Sequence, residues 1–159
     1  MNPFRFLSVC FFALLAVGAV PLHAQREKLP PEDLEIVEKR WPNAKRTFTT
    51  LRYIVLKEGD KSGGSPVPGM MITALYKGML LDDTVFDSAL DPKNPLKSRV
   101  GRGTLILGWD EALQKMHRGD KWLLIVPSEL GYGVRGKAPG IPRNATLVFE
   151  IELLDFSQD

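Results

Sequence analysis

The stretch Gly131-Tyr132-Gly133-Val134-Arg135-Gly136 matches G-x-G-x-x-G, and Gly131 through Lys137 fills the first seven positions of G-x-x-x-x-G-K-[ST]. A loop of that kind would cradle phosphate on backbone N–H groups at the start of a helix. The eighth position is Ala138, so the hydroxyl that would bind magnesium is missing. Pro139-Gly140-Ile141-Pro142 then forbids the helix on which the phosphate would sit. Nucleotide binding is therefore set aside. The basic residues Lys93, Lys97, Arg99 and Arg102 fall on loop and edge positions, where solvated charge is the simpler reading. A net charge of +2 also makes too weak a field to argue for nucleic acid or a membrane surface as partner.

Thiol and imidazole chemistry is equally sparse. The single cysteine, Cys10, lies in a leading segment where Met1 to Arg5 carries one positive charge and Phe6 to Val20 is uncharged and apolar. That run is shorter than the roughly 20 residues of a membrane-spanning helix and reads as the core of a secretory signal. Pro21 breaks it, and Ala24 before Gln25 gives a cleavage position, although Leu22 is larger than the usual residue there. Residues 1–24 are thus expected to direct export to a periplasmic or extracellular compartment, with no stable membrane span after cleavage. An uncleaved anchor is the alternative. Val9 stands before Cys10 where a lipoprotein signal would carry a small residue, so lipidation is not expected. Beyond residue 24 there is no cysteine and one histidine, His117. No disulfide, thiol nucleophile, iron–sulfur cluster or Cys/His metal site is then expected, and a thiol-free chain suits an oxidising compartment. His117 precedes Arg118-Gly119 at what reads as a helix C-terminus, where it would satisfy the last carbonyls.

The elements that must position any remaining chemistry follow from 159 residues that are 44% hydrophobic, 9% aromatic and 25% charged, a composition suited to one globular domain. Residues 25–48 read as an N-terminal extension. Pro30-Pro31-Glu32-Asp33 opens a short helix with Leu34, Ile36, Val37 and Trp41 on its apolar face, stopped by Pro42. Residues 49–159 form the main domain. Thr49 to Lys57 is strand-like, with Leu51, Tyr53 and Val55 on one face; Met70 to Leu80 is a second, longer strand. Thr84 to Asp87 and Lys97 to Val100 are shorter strands, and Trp122 to Pro127 is a buried one. In Ala145 to Asp155, Leu147, Phe149, Ile151 and Leu153 alternate with Glu150 and Glu152. The one mid-chain helix places Trp109, Ala112, Leu113 and Met116 on one face between Gly108 and Gly119. About five strands and one helix suggest an α+β domain, an antiparallel sheet covering a helix.

Between Tyr53 and Phe156 the chain resembles the FKBP-type peptidyl-prolyl cis-trans isomerases. The resemblance is carried in order by Leu75-Tyr76-Lys77-Gly78-Met79-Leu80, Val85-Phe86-Asp87-Ser88, Ile106-Leu107-Gly108-Trp109-Asp110-Glu111-Ala112-Leu113, Gly131-Tyr132-Gly133, Ile141-Pro142 and Asn144 to Leu154. It implies a twisted antiparallel sheet wrapped around the Trp109 helix, with a ligand pocket between them. It also implies that the phosphate-like loop is a pocket rim. By the same resemblance the pocket wall is Tyr76, Phe86, Leu105, Ile106, Tyr132, Ile141 and Phe149, with Trp109 as floor. The Ile106 N–H and the Tyr132 hydroxyl would bind peptide carbonyls, and Asp87 would fix polar geometry near the imide. Leu105, Ile106 and Phe149 would serve equally as plain core residues, and Asp87-Ser88 as a turn.

The activity so implied needs no nucleophile, metal or cofactor, because no bond is made or broken. Unfolded or partly folded proline-containing chains would be the partners, macrolides the expected inhibitors. A non-catalytic chaperone gripping apolar or proline-containing segments is the competing class, and a purely structural domain a third. The sequence departs from the family at Leu96 and Ser98, which make one pocket side less aromatic, at Pro92, where an arginine is common, and at Arg143, where a second proline is usual. These affect sequence preference and macrolide affinity rather than fold. The helix within residues 31–41 is too short for a long-helix dimer, so a monomer is expected.

Overall fold

The computed structural model describes residues 26–158. The expected signal at residues 1–24 lies outside them. The order of elements is α1 (Pro31–Arg40), β1 (Lys45–Arg46), β2 (Arg52–Lys57), β3 (Met71–Leu80), β4 (Val85–Ala89), β5 (Leu96–Arg99), α2 (Leu107–Leu113), β6 (Lys121–Val126) and β7 (Leu147–Ser157). All strand pairings are antiparallel and make one seven-stranded sheet in the order β1-β2-β6-β7-β3-β4, with β5 also paired to β3. The α+β expectation holds: the sheet wraps one central helix. The seventh strand, β1, has two residues and too little sequence to show a period.

Alternation decides which side chains meet α2. Leu147, Phe149, Ile151 and Leu153 of β7 are all buried, as are Leu124 and Val126 of β6, Ile72 and Ala74 of β3, and Leu51 just before β2. They close on Trp109, Ala112, Leu113 and Met116 to form the main core. Met116 lies beyond the helix, because the chain tightens after Leu113 and the Met116 N–H reaches the carbonyls of both Ala112 and Leu113.

That early end changes the role of His117, which caps no helical carbonyl. Its N–H and its Nδ1 both meet Oδ2 of the buried Asp120, at 2.7 and 3.2 Å, while Asp120 Oδ1 accepts from the Gly59 N–H at 2.5 Å. Gly59 is required there, since a Cβ would stand 2.3 Å from the Arg118 carbonyl oxygen.

The other face of the sheet is covered too. Val37 of α1 and Leu29 pack against Met79, Leu123, Ile125 and Val148, with Leu34, Trp41 and Ile54 at the margin. Ile36, expected on the apolar face of the helix, is instead 41% exposed. Polar bonds fasten this strap at both ends: Thr146 donates to Asp33 at 2.6 Å, and Arg52 holds Glu27 through two bonds of 3.1 and 2.7 Å. The Arg52 guanidinium holds the Glu27 carboxyl at about 2, well below its ordinary value, helped by the N–H groups of Leu29 and Lys28 and opposed by desolvation.

Candidate active site

Between α2 and the concave face of the sheet lies an open cavity of about 620 Å³. Its floor is Trp109, buried because α2 presents it to the sheet. Tyr76 of β3 meets that indole edge-on at 5.1 Å between centroids, and Phe149 of β7 does so at 5.4 Å. Phe86 of β4 stands edge-on to Phe149 at 5.6 Å. Edge-to-face packing lets four rings line a concave wall without stacking it shut.

Gly78 makes the approach of two of these rings possible. A Cβ at that position would lie 2.7 Å from the Phe86 ring and 2.8 Å from the Phe149 ring. The strand register explains it, since Gly78 sits opposite Asp87 on β4 and opposite Phe149 on β7.

The polar groups sit at the mouth. The Tyr76 hydroxyl donates to Asp87 Oδ2 at 2.7 Å. Burial, and then the bond to Asp87, push the Tyr76 phenol well above its ordinary range, so it stays protonated as a donor at any physiological pH. Asp87 itself is exposed. The Ile106 N–H, at the extended residue preceding α2, and the Tyr132 hydroxyl find no acceptor among the described residues. The mouth therefore offers two unspent donors beside an apolar hollow, together with one carboxylate whose Oδ2 is already engaged.

Eight of the nine expected site residues line this one cavity: Tyr76, Phe86, Asp87, Leu105, Ile106, Trp109, Tyr132 and Phe149. Ile141 lines a smaller adjoining recess of about 70 Å³, shared with Phe86, Asp87, Tyr132 and Lys137. Leu96, a departure already noted, does line the main cavity, as do Thr104, Leu107 and Lys137. Thr104 comes from the loop before α2 and carries no motif signal, Leu107 is the first residue of α2, and Lys137 closes the phosphate-like pattern. The Gly131–Gly136 segment follows one short 3₁₀ turn, Ser128–Leu130, and contains a second, Gly133–Arg135, with no following helix, which removes the phosphate-loop geometry. No group of three or more His, Cys, Asp or Glu side chains among the described residues is placed to hold a metal ion.

Residues 63–154 match the family model described as FKBP-type peptidyl-prolyl cis-trans isomerase. The chain belongs to this family. Relatives of this FKBP-type isomerase are similar over comparable lengths. An "FK506-binding protein" of Neisseria meningitidis serogroup C is 49% identical over 95 residues, covering 60% of this chain and 87% of its own length. An "FK506-binding protein 1A" of Aspergillus fumigatus is 44% identical over 99 residues, 62% of this chain and 88% of its own. "Peptidyl-prolyl cis-trans isomerase FKBP2" of Mus musculus is 53% identical over 79 residues, half of this chain and 56% of that protein. The FKBP-type match begins at residue 63, beyond α1, β1 and β2, so the strap over the outer face lies outside the matched residues.

Proposed function

We propose that this isomerase accelerates X-Pro rotation in exported, partly folded polypeptides, acting as a folding helper. The observation that carries the reading is the open hollow over Trp109 with the unspent Ile106 N–H and Tyr132 hydroxyl at its mouth. Rotation about the imide must overcome a barrier of ~18–20 kcal/mol that arises from amide resonance. The planar amide is more dipolar than the twisted one. An apolar wall of Tyr76, Phe86, Leu105 and Phe149 over Trp109, with Ile141 in the adjoining recess, therefore disfavours the planar ground state relative to the transition state. The Ile106 N–H and Tyr132 hydroxyl hold the flanking carbonyls, and Asp87, steadied by Tyr76, fixes polar geometry beside the imide. An acceleration on the order of 10⁵ requires only about 7 kcal/mol, within the range of desolvation and orientation combined.

The export setting rests on the charge and apolar pattern of residues 1–24 and on the absence of cysteine after them. A macrolide of the kind for which the relatives are named would compete for the same hollow. A protease-coupled proline-peptide assay on the chain from residue 25 tests the activity. Turnover is expected, and Tyr132→Phe or Asp87→Ala should each lower it by about tenfold while the unfolding midpoint holds. Absent turnover, with unfolded chains still bound, the chaperone would take its place. Cell fractionation tests the compartment, and retention in the cytoplasm would refute export.

A further inference from the structure

We propose that Lys137 gives the active site a preference for substrates that carry a carboxylate side chain next to the proline. This rests on the isomerase reading of the cavity and names a substrate class within it. Lys137 lines both the main cavity and the recess beside it. Its backbone is fixed: the Lys137 N–H donates to the Ile141 carbonyl at 2.9 Å, and the Ile141 N–H returns a bond of 2.8 Å to Lys137. Gly136 before it has φ +64, and a Cβ there would stand 2.4 Å from the Ile141 carbonyl oxygen, so the turn admits only glycine. The side chain thus starts from a set point on the rim. Its ammonium rests 5.3 Å from the centroid of the Tyr132 ring, over one of the groups that faces the substrate.

The charge on Lys137 is uncommitted. Lys28, Lys57, Lys61 and Lys121 each pair with a glutamate, whereas no carboxylate among the described residues lies within ion-pair distance of Lys137. The cavity's own acid, Asp87, is held by Tyr76 and forms no ion pair with it. A cation–π contact of this exposed kind is weak enough for the head to leave the ring and meet a bound peptide. A glutamate beside the proline would gain that partner; a lysine would meet a like charge.

The test compares otherwise identical peptides with Glu, Ala or Lys before the proline, and a second set with the charge after it. Each is measured for kcat/KM by NMR exchange and for affinity by titration. The wild-type protein should favour Glu over Lys by about two- to fivefold in at least one set at low ionic strength. The preference should shrink as salt rises toward about 1 M. Lys137→Met, which keeps the stem, should abolish the ratio, and Lys137→Glu should invert it. A wild-type ratio of one in both sets, or the same ratio in Lys137→Met, overturns the proposal. Turnover of the Ala peptides reports separately on the isomerase reading, and the affinity ratio decides the charge question whether or not turnover is seen.

Discussion

Gly78→Ala is the sharpest probe of how the backbone shapes the cavity. Its backbone conformation is ordinary strand, so alanine meets no φ penalty and would by itself gain about 0.5–1 kcal/mol of backbone entropy. Against that, the new methyl would sit 2.7 Å from Phe86 and 2.8 Å from Phe149. The rings must retreat by roughly 0.7 Å to reach normal contact, and Phe149 has no slack because it is packed on Trp109. Overpacking of this kind costs about 1–3 kcal/mol, leaving a net loss near 1 kcal/mol, or about 4 °C in Tm for a domain of this size. The displaced ring intrudes on the hollow, so kcat/KM should fall by about tenfold. Urea unfolding and the peptide assay read the two effects. Adding Phe86→Leu should return most of the lost stability, with a coupling of about 1 kcal/mol in the double-mutant cycle. A Gly78→Ala protein as stable and as active as its parent would refute the claim that this glycine sets the ring approach.

Two stability predictions concern the strap and the turn that leads from it. Thr50 has φ 76 although it is β-branched, and its buried hydroxyl has no partner among the described residues. Thr50→Gly relieves about 1–2 kcal/mol of strain and an unpaired polar group, offset by unfolded-state entropy; a net gain of about 1 kcal/mol in urea unfolding is expected, and a loss would show that side-chain packing outweighs both. Glu27, with its carboxyl lowered from 4.5 to about 2, contributes stability that is present above pH 4.5 and is lost as pH falls through 2. Solvent screening reduces that contribution to about 1 kcal/mol. Glu27→Gln should flatten this part of the acid-unfolding curve, and an unchanged curve would place the acid sensitivity elsewhere.

The strands and the site motifs were legible where a local period exists. Leu147 to Leu153 alternate strictly, and their burial against Trp109 follows from that alternation. Tyr76 and Asp87 stand on different strands, and the sheet register makes them partners of each other. The outer cluster was not legible. Nothing in the alternation of β7 says that Val148 is to be covered, because the cover arrives from Val37, on a helix more than a hundred residues away. His117 misled for a related reason: the burial pattern of the helix continues through Met116, while the hydrogen-bonded helix stops at Leu113. Periodicity reports which side chains face inward, not which carbonyls remain to be capped. Lys137 reached the rim through a glycine-dependent turn, and turn geometry leaves little trace in hydrophobic pattern.

An enzyme that handles extended, unpaired polypeptide risks having such a chain zip onto its own sheet. Here β1, at one end of the sheet, is only Lys45–Arg46, too brief and too charged to template a neighbour. At the other end, the pairing of β4 to β3 shifts register after Gly78, and β5 carries Lys97 and Arg99 in four residues. Neither end of the sheet thereby offers a long free ladder, and under the proposed function an extended chain would engage through the hollow instead.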